Sequence, residues 1–319
     1  MRIPVIVLFA PTASGKTALS IKLFGKSSLS CFKDKAELIS ADSMQVYKGL
    51  DIGTAKPDEN ERKELKHHLI DILEPDCQFS VADFVSRADS CCSEIFSRGK
   101  IPLVAGGTGF YIRNFILGLP ETPVSDEKIR NQLKERIKKE GKEILYAELK
   151  SVDPESAAKI NVNDEYRICR ALEVFYSTGK PRSSFKMSTK MRENFNFKVL
   201  ILETPREKLY ERINLRVEKM FENGLEQEIH SLYKKGFGKS APGMQAIGYR
   251  EWFLEDGTLR SDSEQVLLEI QHDSRKYAKK QYTFMADIPG AVKIDASDDE
   301  KMYLEVQRNL KQYFEEIQL

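Results

Sequence analysis

Short apolar runs alternate along the chain with stretches of helical period, and this alternation sets the predicted framework. Val5–Ala10, Glu37–Ala41, Leu69–Leu73, Ile101–Ala105, Lys198–Leu202 and Val292–Asp295 are brief and mostly apolar, as strands buried on both faces must be. Helical patterns separate them, which predicts an α/β fold with a parallel sheet flanked by helices. One helix begins inside a glycine turn directly after the first run. A second opens at Ser80, where Ser80 and Asp83 have capping-box spacing and Val81, Phe84, Val85, Ala88, Cys92 and Ile95 fall on one face. Thr204-Pro205-Arg206-Glu207 predicts a third start, combining a capping box with proline at the first helical position. That helix runs through Leu209, Ile213, Val217 and Met220, leaving Arg212 and Arg216 one turn apart on another face. A last helix, from about Asp298, would bury Met302, Val306, Leu310 and Ile317.

The middle of the chain has a different pattern. Pro120 and Pro123 close the sheet-like portion, and Asp126–Lys150 is charged and helical, with Ile129, Leu133, Ile137, Ile144 and Leu149 near helical spacing. A further helix spans about Asn163–Ser177 and ends at Gly179. Ile168, Leu172 and Phe175 form its apolar face, and Arg167 and Arg170 share another. No strand pattern occurs between Thr122 and Lys190. The expected organisation is a core domain in two parts, 1–121 and 191–319 with its C-terminal helices, interrupted by an all-helical insertion at 122–190.

Composition narrows the class. The 319 residues are 41% hydrophobic and 31% charged, with a net charge of +1, so no global field attracts nucleic acid. The insertion is locally basic, with 15 Lys+Arg against 11 Asp+Glu, which suits a polyanion touching that region. Cys31, Cys77, Cys91, Cys92 and Cys169 are odd in number and form no C-x-x-C pair, so neither a disulfide framework nor a zinc site is expected. A reducing cytoplasm is the expected location. His67 and His68 are adjacent without metal-ligand spacing and read as structural histidines. Arg2 followed by Ile3–Ala10 mimics a very short signal sequence. Pro4 and the glycine turn favour a buried strand instead. No segment approaches the apolar length that spans a bilayer.

The glycine turn carries the first chemistry. Ala10, Pro11, Thr12, Ala13, Ser14, Gly15, Lys16 and Thr17 read APTASGKT, which fits G-x-x-x-x-G-K-[ST] with alanine at the first glycine. In such a loop backbone N–H groups face phosphate oxygens, the lysine neutralises a terminal phosphate, and the Thr17 hydroxyl ligates Mg²⁺. A nucleoside triphosphate is the usual occupant. Proteins that hydrolyse one generally end a second strand in an acidic residue. Here Ile101–Gly107 ends in A-G-G-T-G, with Thr108 at that place, and the available carboxylate is Asp42 at the end of ELISA. Diphosphate recognition without hydrolysis is therefore open beside the triphosphate reading.

Five further stretches follow in order: ADSMQVYKGLDIGTAKP, HHLIDILEPDCQFSVADF, AGGTGFYIR, NDEYRICRALEV and PGMQAIGYRE. Together with the phosphate loop they closely resemble the tRNA dimethylallyltransferases, also called tRNA isopentenyltransferases, over about Val5–Tyr282. The resemblance implies that the loop and Mg²⁺ hold dimethylallyl diphosphate. The acceptor is then the N6 amine of the adenosine 3′ of the anticodon in tRNA, extruded into a channel. It further implies that Asp42 accepts the N6 proton, that Thr108 lies near the bridging oxygen of the diphosphate, and that Arg216 is directed to the phosphates. For tRNA it implies contacts from Asp42, Ser43, Met44 and Gln45, from Arg130, and from Tyr166, Arg167, Ile168, Cys169 and Arg170. Two more contact stretches complete the set: Gln245, Ala246, Ile247, Gly248, Tyr249 and Arg250, then Arg275, Lys276, Tyr277, Ala278, Lys279, Lys280, Gln281 and Tyr282. The last of these mixes basic residues and tyrosines, as backbone neutralisation plus stacking requires.

The chain departs from the family pattern locally. Asn161-Val162-Asn163-Asp164 stands for H-P-N-D, Tyr166 stands for an arginine, and Lys280–Ala286 reads KQYTFMA where R-Q-L-T-W-F-R is usual. Partners implied are tRNA and dimethylallyl diphosphate, with no membrane, and a monomer is expected. Rival readings are a small-molecule or nucleotide kinase, a non-catalytic RNA-binding NTPase, and prenylation of free AMP. ATP dependence, the absence of a modified base, and activity without the helical insertion would respectively distinguish them.

Overall fold

The structure is a computed structural model that describes every residue except 1, 124–125, 187, 286 and 319, and the side chain of Met285. Ala286, the last position of the departing KQYTFMA stretch, therefore lies outside the described residues. Six strands form one sheet: β1 (Ile3–Phe9), β2 (Ala36–Ser40), β3 (His67–His68), β4 (Ile101–Gly106), β5 (Phe195–Glu203) and β6 (Val292–Asp295), in the order β3-β2-β4-β1-β5-β6. Every pairing is parallel. β1 is central and buried on both faces, which is why IPVIVLF is continuous rather than alternating.

On one face, Ile6, Leu8, Leu38, Leu103, Leu200 and Ile294 pack against α1 (Lys16–Phe24) and against the helix Asp299–Glu316 through Met302, Val306, Leu310 and Phe314. Ser80 and Asp83 form the expected capping box at the start of the helix Val81–Ser97, whose Phe84, Val85, Ala88, Cys92 and Ile95 are buried. Two long helices pair beside the sheet, Arg206–Glu222 and Ser263–Met285, joined at their base by Leu209, Ile213 and Ala278. Among the described residues no helix is long and apolar enough to cross a membrane.

The chain divides into two compact units, Met1–Ile116 with Arg192–Leu319, and Leu117–Met191. The second unit has its own core, in which Leu133, Leu145, Leu149, Ile160, Ile168 and Leu172 pack together. Its helices are Glu127–Glu140, Lys142–Val152, Pro154–Lys159 and Glu165–Thr178.

Three local expectations are corrected. The strand expected at Leu69–Leu73 is only His67–His68, because Leu69 and Asp71 adopt left-handed φ of 61° and 56° and turn the chain out of the sheet. The helix expected from Asp126 to Lys150 is broken at Gly141, whose φ of 89° changes the phase, so Leu145 is buried and Ile144 is exposed. At Thr204 no capping box forms: the Arg206–Glu222 helix has no side-chain cap, and the buried Thr204 hydroxyl has no hydrogen-bond partner.

Candidate active site

A parallel sheet directs all its strand C-termini to one edge, where ligands of such folds gather. Here the register pairs Phe9 with Gly106 and Ser40 with Ala105. The residues that follow those positions are therefore neighbours: the phosphate loop after β1, Asp42 after β2, and Gly107-Thr108 after β4. Thr108 N donates to Ala41 O at 3.1 Å and Ala41 N donates to Ala105 O at 2.9 Å, which fastens the β2 and β4 ends together. Gly106 is required by this approach, since a Cβ there would lie 2.2 Å from the Ala41 carbonyl oxygen.

The ends enclose a cavity of about 320 Å³. Lys16 and Thr17 line it together with Asp42, Ser43, Met44 and Gln45. Arg216 and Met220 come from the helix Arg206–Glu222, while Ile270, Ser274, Tyr277 and Gln281 present one face of the helix Ser263–Met285 at i, i+4, i+7 and i+11. A second depression reaches the loop through Ala13, Ser14, Gly15 and Ala18, and it shares Lys16, Thr17, Ala55, Pro57, Arg216 and Met220 with the first. The shared wall makes the phosphate loop approachable from two sides.

Within the loop, Ala13 and Gly15 take positive φ of 61° and 81°, the curvature that turns successive N–H groups inward. Ser14 Oγ is buried with no hydrogen-bond partner, a donor available to a phosphate oxygen. Lys16 Nζ donates to Pro11 O at 2.8 Å. Burial and the nearby Arg216 guanidinium lower its pKa to about 8, against a smaller opposing pull from the Asp42 carboxylate. Burial also lowers Arg216, whose Nη2 donates to Thr54 O at 3.3 Å. Two closely placed, desolvated cations facing one carboxylate are an arrangement that an added anion would stabilise.

Asp42 is held by its own turn. Oδ1 accepts from Met44 N at 2.9 Å and Gln45 N at 3.3 Å, which orients the carboxyl group on the cavity wall. Thr108 Oγ1 accepts from Ser43 N at 3.1 Å, so Thr108 and Asp42 belong to one hydrogen-bonded unit. The Tyr277 hydroxyl lies beside Thr108 and Gln281, and burial followed by the Asp42 charge pushes its pKa up to about 12. It is therefore neutral and available as a donor at physiological pH.

The other residues expected to contact RNA differ in placement. Ser43, Met44, Gln45, Gln245, Ala246, Ile247, Arg250, Tyr277 and Gln281 line the cavity. Tyr166, Arg167, Lys276, Lys279 and Lys280 are exposed. Arg170 is half-buried and pairs with Glu173 at 3.1 Å, and Arg130 lies 3.9 Å from the same carboxylate. Arg275 is bound to Asn214. Ile168, Cys169, Tyr249 and Ala278 are core side chains and present no surface to RNA. Gly248 N donates to Glu251, and Tyr249 donates to Glu228 at 2.6 Å while its ring fills the space that a Cβ on Gly53 would need. The Tyr282 hydroxyl is used by the Thr204 backbone.

Three wall elements were not singled out from the sequence. Gly53–Ala55 are held by Glu228, which accepts from Asp51, Ile52 and Gly53 N–H groups at 3.0, 2.9 and 3.3 Å. Ser40 donates to Gln45 Oε1 at 3.0 Å. His67, expected to be structural, lies on the cavity wall. Burial lowers its pKa to about 4, and its Nδ1 sits 2.6 Å from Leu65 O, so the ring is neutral with Nδ1 as donor. For Gly53–Ala55 and His67 the available signal was their place in the family-like stretches LDIGTAKP and HHLID; Ser40 lies outside both.

A glycine loop at a helix N-terminus, sharing one cavity with an aspartate and with no acidic residue ending β4, defines a P-loop α/β protein with a cavity at its strand C-termini. The chain belongs to the IPP transferase family, whose model matches residues 45–287. It is 42% identical over 314 residues to the tRNA dimethylallyltransferase of Acetivibrio thermocellus, covering 97% of this chain and 96% of that one. The tRNA dimethylallyltransferase of a Thermoanaerobacter species is 39% identical over 98% of both chains. Among solved structures, the tRNA isopentenylpyrophosphate transferase of Bacillus halodurans superposes with a TM-score of 0.69 at 35% identity, covering 99% of this chain and 98% of that one. A eukaryotic dimethylallyltransferase acting on tRNA superposes with a TM-score of 0.76 at 30% identity, covering 93% of this chain and 75% of that one.

Proposed function

We propose that this protein transfers the dimethylallyl group of dimethylallyl diphosphate to the N6 amine of the adenosine 3′ of the anticodon in tRNA. The observation that carries the reading is that Asp42 and Lys16 line one cavity, where a kinase would need an acidic residue ending β4 and the chain has Gly106 and Gly107. In the reaction the N6 lone pair forms a bond to the allylic carbon, and the carbon–oxygen bond to diphosphate breaks with its electron pair leaving on oxygen. The N6 proton passes to the Asp42 carboxylate, oriented by Met44 and Gln45 N–H groups. An adenine amine is a weak nucleophile, so the rate must come from leaving-group stabilisation and alignment. Lys16, Arg216 and the loop N–H groups would receive the diphosphate charge. Thr108 and Tyr277 would donate near the breaking bond.

Mg²⁺ fits the donors present. Among the described residues no group of three His, Cys, Asp or Glu side chains could hold a metal, so the ion would be bound by Thr17 and the diphosphate oxygens. When bound it would neutralise charge on the leaving group. The unit Leu117–Met191, with Tyr166 and Arg167 exposed, and the outer face of Ser263–Met285, with Lys276, Lys279 and Lys280, would receive the tRNA backbone. The five cysteines are free thiols, in keeping with a cytoplasmic enzyme, and we expect it to act as a monomer. In the test, the native protein forms N6-dimethylallyladenosine in an unmodified tRNA. Asp42→Asn should bind dimethylallyl diphosphate within a few-fold of native affinity and turn over about 10²-fold more slowly. Equal losses in binding and turnover would remove Asp42 from the role of base.

A further inference from the structure

Gln281 stands within a basic, tyrosine-containing run, where an RNA contact is the natural expectation. The structure places it elsewhere: its side chain is 3% exposed and lies under the phosphate loop. Its amide makes two hydrogen bonds to backbone groups that are far apart in sequence. Oε1 accepts from Thr12 N at 3.1 Å, and Nε2 donates to Gly107 O at 2.7 Å. Only one orientation of the amide satisfies both, because an N–H must meet an oxygen and a carbonyl must meet an N–H. The fit is close enough that a Cβ on Gly107 would stand 2.3 Å from Nε2. One turn earlier, Tyr277 lines the same cavity beside Gln281. The outward residues of the same stretch, Lys276, Lys279 and Lys280, are exposed.

We propose that Gln281 is a positioning residue that locks the phosphate loop, through Thr12, to the Gly107-Thr108 turn, and so sets the distance between the departing diphosphate and the unit formed by Thr108, Ser43 and Asp42. Its amide is engaged by these two backbone groups. Thr12 N and Gly107 O are otherwise donor and acceptor groups at a crowded strand edge, and losing the amide leaves both unpaired. The loop and the turn would then be free to separate. For its kinetic consequence the proposal rests on the prenyl-transfer reading; for diphosphate binding it stands on its own.

The test measures three quantities on the full-length protein: the Kd for inorganic diphosphate with Mg²⁺, the kcat and KM for dimethylallyl diphosphate, and the Kd for tRNA. Gln281→Met, close in volume and without the two hydrogen bonds, should weaken diphosphate about ten-fold or more and lower kcat, with tRNA affinity within two-fold of native. Gln281→Glu provides the second arm. As a carboxylate it keeps the acceptor but faces Gly107 O with a like charge; protonated, it can both donate and accept as the amide does. Relative to the native protein at each pH, its diphosphate affinity should recover as pH falls from 7.5 to 5.5. The proposal is overturned if both variants bind diphosphate as the native protein does, or if tRNA affinity falls while diphosphate affinity holds. A native protein that binds diphosphate but prenylates no tRNA would instead count against the functional reading and leave the lock to be judged by the binding arm.

Discussion

Lys16 titrates where its charge can be followed. Before an anion binds, burial and the Arg216 guanidinium hold its pKa near 8, against 10.5 for an unperturbed lysine. That difference corresponds to about 3 kcal/mol set against the charged form. A diphosphate in the loop would reverse the balance by placing negative charge beside the ammonium, so binding must take up a proton wherever Lys16 is neutral beforehand. The sign follows: below pH 8 the lysine is already charged and affinity is nearly flat, whereas above pH 8 affinity falls as pH rises. A single proton taken up at a free-state pKa near 8 weakens binding about 25-fold between pH 7.5 and 9.5. Phosphate groups lose their second proton near pH 6, so the ligand itself contributes little over this range. Calorimetry with dimethylallyl diphosphate in two buffers of different ionisation heat reads the proton directly. Uptake should rise from about a quarter of a proton at pH 7.5 to nearly one at pH 9.5. Lys16→Met should bind more weakly at every pH and lose the slope. A flat profile in the native protein, or the same slope in Lys16→Met, would refute the reasoning.

Two further outcomes follow from the geometry. Gly106→Ala sets a methyl group 2.2 Å from the Ala41 carbonyl oxygen, and both partners are backbone; it should cost about 1–3 kcal/mol, read as a lower urea midpoint with an unchanged m-value, and native stability would contradict the close packing of β2 on β4. Arg167→Glu reverses a charge that is 66% exposed and paired with Asp164, and filter binding should show weaker tRNA association with a shallower dependence on salt; unchanged affinity would exclude this helix from recognition.

The strand-loop-helix unit at the N-terminus was legible because each level agrees: a continuous apolar run demands a doubly buried strand, and Gly15 supplies the left-handed residue before Lys16. The helix at Ser80 was equally plain, since its capping box and its apolar period coincide. Leu69–Leu73 misled because it is brief and mostly apolar, as a buried strand is. The stretch serves a turn in which Asp71 instead pairs with Lys56 and Arg62. Gly141 was passed over because the apolar spacing runs on through it, and only its positive φ changes the phase. For the site, the residue types were visible but their mutual arrangement was not. Asp42 and Thr108 meet because β2 pairs with β4 rather than with β1, a choice made by the sheet order. Gln281 was visible only as part of a basic run; its partners Thr12 and Gly107 lie 269 and 174 residues away in sequence.

The central claim is that the phosphate loop grips a diphosphate leaving group and does not deliver a γ-phosphate. Nucleoside mass spectrometry of an unmodified tRNA, after incubation with the purified protein, Mg²⁺ and dimethylallyl diphosphate, with and without ATP, beside a phosphate-release assay with ATP alone, tests it most directly. The account predicts N6-dimethylallyladenosine whenever the allylic diphosphate is present, in equal amount with and without ATP, and no phosphate released from ATP alone. Product that appears only with ATP, or ATP hydrolysis with the adenosine left unmodified, would contradict it.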